Sequence, residues 1–225
     1  METVALDTGN TSPKLDWNDI RVGILIGCLV VVVKVIKHLM PELQLGNLDG
    51  LVAFFLCVQY TIYRARREPE KLDEWGITTS ITRSSLVVIT MMMAFAIAVL
   101  AAFCLMFTDT IPFETRYISN MVEYIISAFP QQFFLCSVGL VTLSRIPVLK
   151  GPWRLPFLVG LLFALAHFWT PHHFPGTKIP VQVIGTFPLG FIAAWYFLKF
   201  RNILPLTVSH AILYVLLSQW ILKHL

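Results

Sequence analysis

Ser85–Phe107 reads SLVVITMMMAFAIAVLAAFCLMF, 23 residues without one charged side chain. A bilayer's hydrocarbon core, about 30 Å thick, is crossed by roughly 20 mainly apolar helical residues. This stretch is long enough to cross it. Lipid offers the backbone no hydrogen-bond partners, so a lone crossing segment must be helical. The rest of the chain has the same character: of 225 residues, 56% are hydrophobic and 13% are charged. A soluble domain carries about 25% charged residues. One water-exposed core of this size would not hide so much apolar surface. The expected fold is an all-α, polytopic transmembrane helix bundle.

Outward from Ser85–Phe107, about seven spans are expected. The others are Val22–Met40, Asn47–Tyr63, Ile118–Leu143, Leu155–Thr170, Val181–Leu198 and Ile203–Leu222. They divide the chain into a polar N-terminus (1–21), two N-terminal spans (22–63), an amphipathic connection (64–84) and a helical core (85–225). The first twenty residues lack a basic start followed by an apolar run, so the first span is expected to act as the insertion signal. Loops rich in Lys and Arg stay cytoplasmic. Strict alternation puts twelve of the 17 Lys and Arg residues inside, among them Lys14, Arg64, Arg66, Arg67, Lys150 and Arg201, and leaves Lys34, Lys37, Arg116, Lys178 and Lys223 on or near the other side. That gives a cytoplasmic N-terminus, and residence in the cell membrane if the source is bacterial. The longest polar connection contains Arg67–Ser80, REPEKLDEWGITTS, whose mixed charges predict a solvated segment. Cys28, Cys57, Cys104 and Cys136 each lie in an apolar run with no CxxC pair, which predicts small buried hydrophobes. The net charge of +4 includes no dense basic run, so no nucleic-acid partner is expected.

Polar groups within a membrane are costly and tend to mark function. Lys34 and Lys37 lie near one end of their span and are expected to snorkel to the interface. Glu123 lies near the start of the fourth span, which continues into Pro130-Gln131-Gln132. Proline removes a backbone donor and opens the helix there. His167 ends the run LPFLVGLLFALAH, and His210 sits in ILPLTVSHAILYVLL. At 1.5 Å per residue, Gln131 and His167 lie about 18 Å, and His210 about 10 Å, from the cytoplasmic ends of their spans. These depths allow one shared cavity. His172 and His173 follow His167 closely, but no carboxylate sits among them and the spacing is not that of a metalloprotease helix. No metal or cofactor is expected.

At these positions the chain resembles the CPBP family of intramembrane proteases. That family includes type II CAAX prenyl endopeptidases, bacteriocin-processing proteins and Abi proteins. Its three motifs are EExxxR, FxxxH and a His followed four residues later by Asn or Asp. The second stands here as Phe163–His167. The third keeps His210 but has Tyr214 in place of Asn or Asp. At the first, Gln131 and Gln132 replace the two Glu, and Cys136 replaces the Arg. Asp73–Ile77, Phe187–Gly190 and Arg201–Pro205 also match the family's surroundings, and the resemblance spans roughly 72–220.

The resemblance implies catalytic positions at Gln131, Gln132, His167 and His210, and a substrate cavity near Glu123, Cys136, Phe163 and Tyr214. The expected partners are membrane lipid and a membrane-associated or lipidated peptide. In the family, a Glu and the two His are thought to activate a water against a peptide carbonyl. A glutamine amide accepts no such proton, and a positioned acid or base contributes about 10²–10⁴-fold in rate. Glu123, eight residues before Gln131, lies about 12 Å along the axis from it. Cys136 and Tyr214 depart from the motifs together with the Gln pair, which favours natural divergence over Gln introduced to trap substrate. Three readings stand: a peptidase homologue with impaired water activation, a catalytically silent relative that binds membrane peptides or partner proteins, and an unrelated carrier or channel.

Overall fold

The computed structural model describes residues 16–43, 47–106, 108–149, 151–167 and 181–222. Among them there are helices and no strand. In chain order the helices are α1 (Trp17–Leu39), α2 (Leu48–Arg67), α3 (Glu70–Glu74), α4 (Arg83–Leu105), α5 (Arg116–Gln132), α6 (Val141–Ser144), α7 (Arg154–Ala166), α8 (Val181–Phe200) and α9 (Leu204–Trp220). A π-helical stretch, Phe133–Leu140, joins α5 to α6, so Arg116–Ser144 runs on as one 29-residue element. Together with α1 and α4 it is long and apolar enough to cross a membrane; α7 and α9 are shorter apolar helices. The protein is an integral membrane protein.

The helix ends follow from local chemistry. Asp16 caps α1, accepting from the Asn18 and Asp19 amides at 3.1 and 3.4 Å. Thr82 caps α4 through the Ser85 amide at 3.2 Å. Asn202 Oδ1 takes the Leu204 amide at 3.0 Å, and Pro205 follows in the first turn of α9, where its missing N–H costs nothing.

Only 6% of the apolar stretch in each of α1 and α4 is buried, against 56% in Arg116–Ser144. Residues such as Leu25, Met91 and Phe95 therefore line outer faces suited to lipid, and Arg116–Ser144 is the central post. It packs on α2 and α9, while α7 packs closely on α8. Glycines permit that last approach. A Cβ on Gly160 would meet the Phe187 carbonyl oxygen at 2.8 Å, and one on Gly190 would meet Phe163 Cβ at 2.8 Å. Small residues at membrane helix crossings bring backbones together in this way.

The structure corrects three expectations. The connection after α2 is solvated only in part: Arg66, Arg67, Glu70 and Asp73 are exposed, but other charges of the segment are not. Lys71 and Arg64 are buried and share Asp16 and Asp19 across α1: Lys71 lies 3.0 Å from Asp16 and 3.2 Å from Asp19, and Arg64 2.5 Å from Asp16. Glu74 extends the network to Lys71 at 3.3 Å and to Arg145. Charges buried this deeply persist only when paired, and the partners lie some fifty residues away, beyond the reach of local sequence patterns. Lys37 does not merely snorkel but pairs with Asp49 of α2 at 2.7 Å. Cys28 is exposed on the outer face of α1, whereas Cys57, Cys104 and Cys136 are buried. α7 runs Arg154–Ala166, and residues 168–170 of the expected span lie outside the described residues.

The 73–79 segment closes the same end of the bundle. Trp75 is fully buried between Tyr60 and Phe133. Gly76 has φ of +69°, and a Cβ there would lie 2.6 Å from the Arg201 carbonyl oxygen. This close approach lets the Ile203 amide donate to the Gly76 carbonyl at 3.0 Å and Asn202 Nδ2 donate to the Thr79 carbonyl at 2.6 Å.

Candidate functional site

Three helices distant in sequence meet at the motif residues. Gln132, buried at the end of α5, places its Nε2 2.8 Å from Nδ1 of His210 on α9. An amide nitrogen only donates, so Nδ1 accepts and the His210 proton sits on Nε2. The other end of the same amide, Oε1, accepts from the Cys136 thiol at 3.7 Å. Gln132 therefore bridges the position where the family has Arg to the third-motif histidine.

His167 caps the C-terminal end of α7. Its backbone amide donates to Ala164, which leaves the Phe163 carbonyl without its usual helical donor. The His167 ring supplies one, with Nδ1 2.8 Å from that oxygen. A carbonyl only accepts, so Nδ1 carries the proton and Nε2 the lone pair. The Phe163 ring lies between the two histidines, with centroids 4.7 Å from His167 and 5.7 Å from His210. Both histidines are half-buried.

Gln131 goes elsewhere. Its Nε2 donates to the Tyr124 hydroxyl at 3.5 Å rather than to an imidazole. Tyr124 stacks on Tyr214 at 3.8 Å, with the planes 8° apart, and meets His210 edge-on at 5.9 Å. Tyr214 lies four residues after His210 on α9, on the same face, which brings it to Tyr124. Sequence reasoning missed Tyr124. It lies seven residues, two turns, before Gln131, a spacing that would have found it.

Of the expected site residues, Gln132, Cys136, Phe163, His167, His210 and Tyr214 come together, and Gln131 joins through Tyr124. Glu123 does not: it is exposed. Nine residues before Gln132 is half a turn around the helix, so the two side chains face opposite ways. The carboxylate is excluded by helical phase as well as by distance. His172 and His173 lie outside the described residues. Among the described residues no three His, Cys, Asp or Glu side chains group to hold a metal ion. The proton-handling groups that meet in the cluster include the two imidazoles and the phenols of Tyr124 and Tyr214.

Residues 121–216, a little under half of the chain, match the family model described as Type II CAAX prenyl endopeptidase Rce1-like, which is consistent with the CPBP family. The matched stretch contains all three motif positions and Tyr124; it leaves out Asp73–Ile77, α1 and α2. No curated protein and no solved structure matches the chain.

Proposed function

From the premise that the chain is a CAAX-protease-like membrane protein, we propose that it is a CPBP-type peptidase homologue that binds a membrane-associated peptide or lipid-anchored C-terminus without cutting it efficiently. One observation supports this most: the Gln132 amide occupies Nδ1 of His210 at 2.8 Å, where a water-activating site needs a proton acceptor. An amide holds the imidazole in one tautomer but takes no proton from water, so orientation survives and general-base catalysis does not. The half-buried imidazoles and the Tyr124–Tyr214 pair remain as polar and aromatic surface for a peptide. We place the Arg64–Arg83 connection and the N-terminus on the cytoplasmic side, by the distribution of Lys and Arg.

A second reading has one observation in its favour. His167 donates through Nδ1 to the Phe163 carbonyl, which makes Nε2 the basic nitrogen of that ring. An active peptidase would then rely on an imidazole in place of a carboxylate.

The deciding experiment uses purified protein in nanodiscs with a fluorescent farnesylated peptide bearing a free C-terminus. The proposal expects saturable binding that weakens at least tenfold in His210→Ala and Gln132→Ala, with no new C-terminal fragment. Cleavage that disappears in His167→Ala would establish the second reading. Absence of binding to any lipidated peptide would overturn both.

A further inference from the structure

Trp75, outside the matched family segment, packs on residues adjacent to Gln132. Gln132 and Cys136 form one row along the end of α5 and the π-helical stretch. Phe133 and Ser137 form the next row, one residue on and about a quarter of a turn around the axis. That second row grips Trp75. The Ser137 hydroxyl donates to the Trp75 carbonyl at 2.7 Å, and the Phe133 ring meets the Trp75 ring edge-on at 5.1 Å. All three residues are fully buried. A rotation of the stretch that released Trp75 would also swing Gln132 away from His210.

The other partner of the bond is held from the same segment. The Gly76 carbonyl receives the Ile203 amide at 3.0 Å, and the Thr79 carbonyl receives Asn202 Nδ2 at 2.6 Å. These contacts fix the start of α9, about 10 Å of helix before His210. Immediately before Trp75, Lys71 and Glu74 tie the segment to Asp16, to Asp19 of α1 and to Arg145. Five residues therefore connect a buried ion network to both sides of the site.

We propose that Trp75 is a positioning residue for the candidate site. Held by the ion network and packed on Phe133 and Ser137, it sets the rotation of the π-helical stretch that brings Gln132 onto His210. Phe133–Leu140 needs such a support: π-helical turns are rare and cluster at functional sites, and here the wide stretch has a bulky aromatic ring wedged against it. The importance of this bond for ligand binding rests on the function proposed above; the positioning itself does not.

The test is ¹⁵N NMR of histidine-labelled protein in nanodiscs, with Gln132→Ala defining the His210 Nδ1 resonance without its amide donor. Trp75→Ala and Ser137→Ala are expected to move that resonance most of the way to the Gln132→Ala position. Trp75→Phe, which keeps a ring against Phe133, is expected to leave it in place. A cooperative thermal transition in each variant separates positioning from unfolding. If Trp75→Ala does not fold, Ser137→Ala alone decides. A folded Trp75→Ala or Ser137→Ala protein with an unmoved Nδ1 resonance overturns the inference. The readout needs no peptide, so failure of peptide binding would count against the proposed function and leave this result standing.

Discussion

Gln132 and His210, 78 residues apart in sequence, are joined side chain to side chain at 2.8 Å between α5 and α9. The bond fixes which ring nitrogen bears the proton. Gln132→Glu reverses the roles, because a carboxylate only accepts and Nδ1 must then carry the proton. The His210 Nδ1 signal in ¹⁵N NMR is expected to change from acceptor-type to protonated. An unchanged signal would show that Gln132 does not set the tautomer.

Gln132→Ala leaves Nδ1 of His210 and the Cys136 thiol without their partner. An orphaned buried polar group costs about 1–3 kcal/mol. Chemical unfolding in mild detergent is expected to show a loss in that range. Glu123→Gln, on the exposed face of α5, is expected to change stability by less than about 0.5 kcal/mol.

The crossing of α7 and α8 sets the position of Phe163 between the two histidines. Gly190→Ala drives a methyl into Phe163 Cβ and Gly160→Ala one into the Phe187 carbonyl, each at 2.8 Å. Such overpacking costs about 1–3 kcal/mol. Gly185→Ala is the control, because its added Cβ meets nothing within 4 Å. Thermal unfolding should separate the first two variants from the third; three equal melting temperatures would mean that the crossing is not tight.

The ion network makes stability depend on acid. Burial alone would raise the Asp16 carboxyl, but the Lys71 hydrogen bond and charge, with Arg64, outweigh it and hold the group down to about 2. A depressed carboxyl stabilises the fold above its ordinary value near 3.8 and loses that contribution as pH falls toward 2. Melting temperature is expected to be flat above about pH 4 with respect to this group and to drop below it. In Lys71→Met the drop between pH 4 and 2 should shrink, on top of a loss of about 1–3 kcal/mol for removing one of the two cations, Lys71 and Arg64, that serve Asp16 and Asp19. Identical pH profiles for the two proteins would rule out this role.

The helices were legible because lipid demands runs such as Ser85–Phe107 and tolerates little else. The meeting of Gln132, His167 and His210 was legible only through estimated depth and the motif resemblance. Three features were not legible, each for a stated reason. Pro130 signalled an opened backbone, yet the π-helical widening begins after Gln132, because Ser137 and Phe133 grip a tryptophan from another part of the chain. Lys71 and Glu74 looked like solvated charge, since nothing in their neighbourhood names Asp16, Asp19 or Arg145 as partners. Gln131 looked equivalent to Gln132, but one residue of helical phase sends it to Tyr124, whose stack on Tyr214 occupies the third motif's altered position.

Whether the site binds without cutting is read from release of a C-terminal fragment from a farnesylated peptide bound to the purified protein, compared with His210→Ala at equal occupancy. The bound peptide is expected to stay intact, with wild type and variant alike at the uncatalysed background. Cleavage by the wild-type protein that His210→Ala abolishes would contradict this, and would show that this site cuts without its carboxylates.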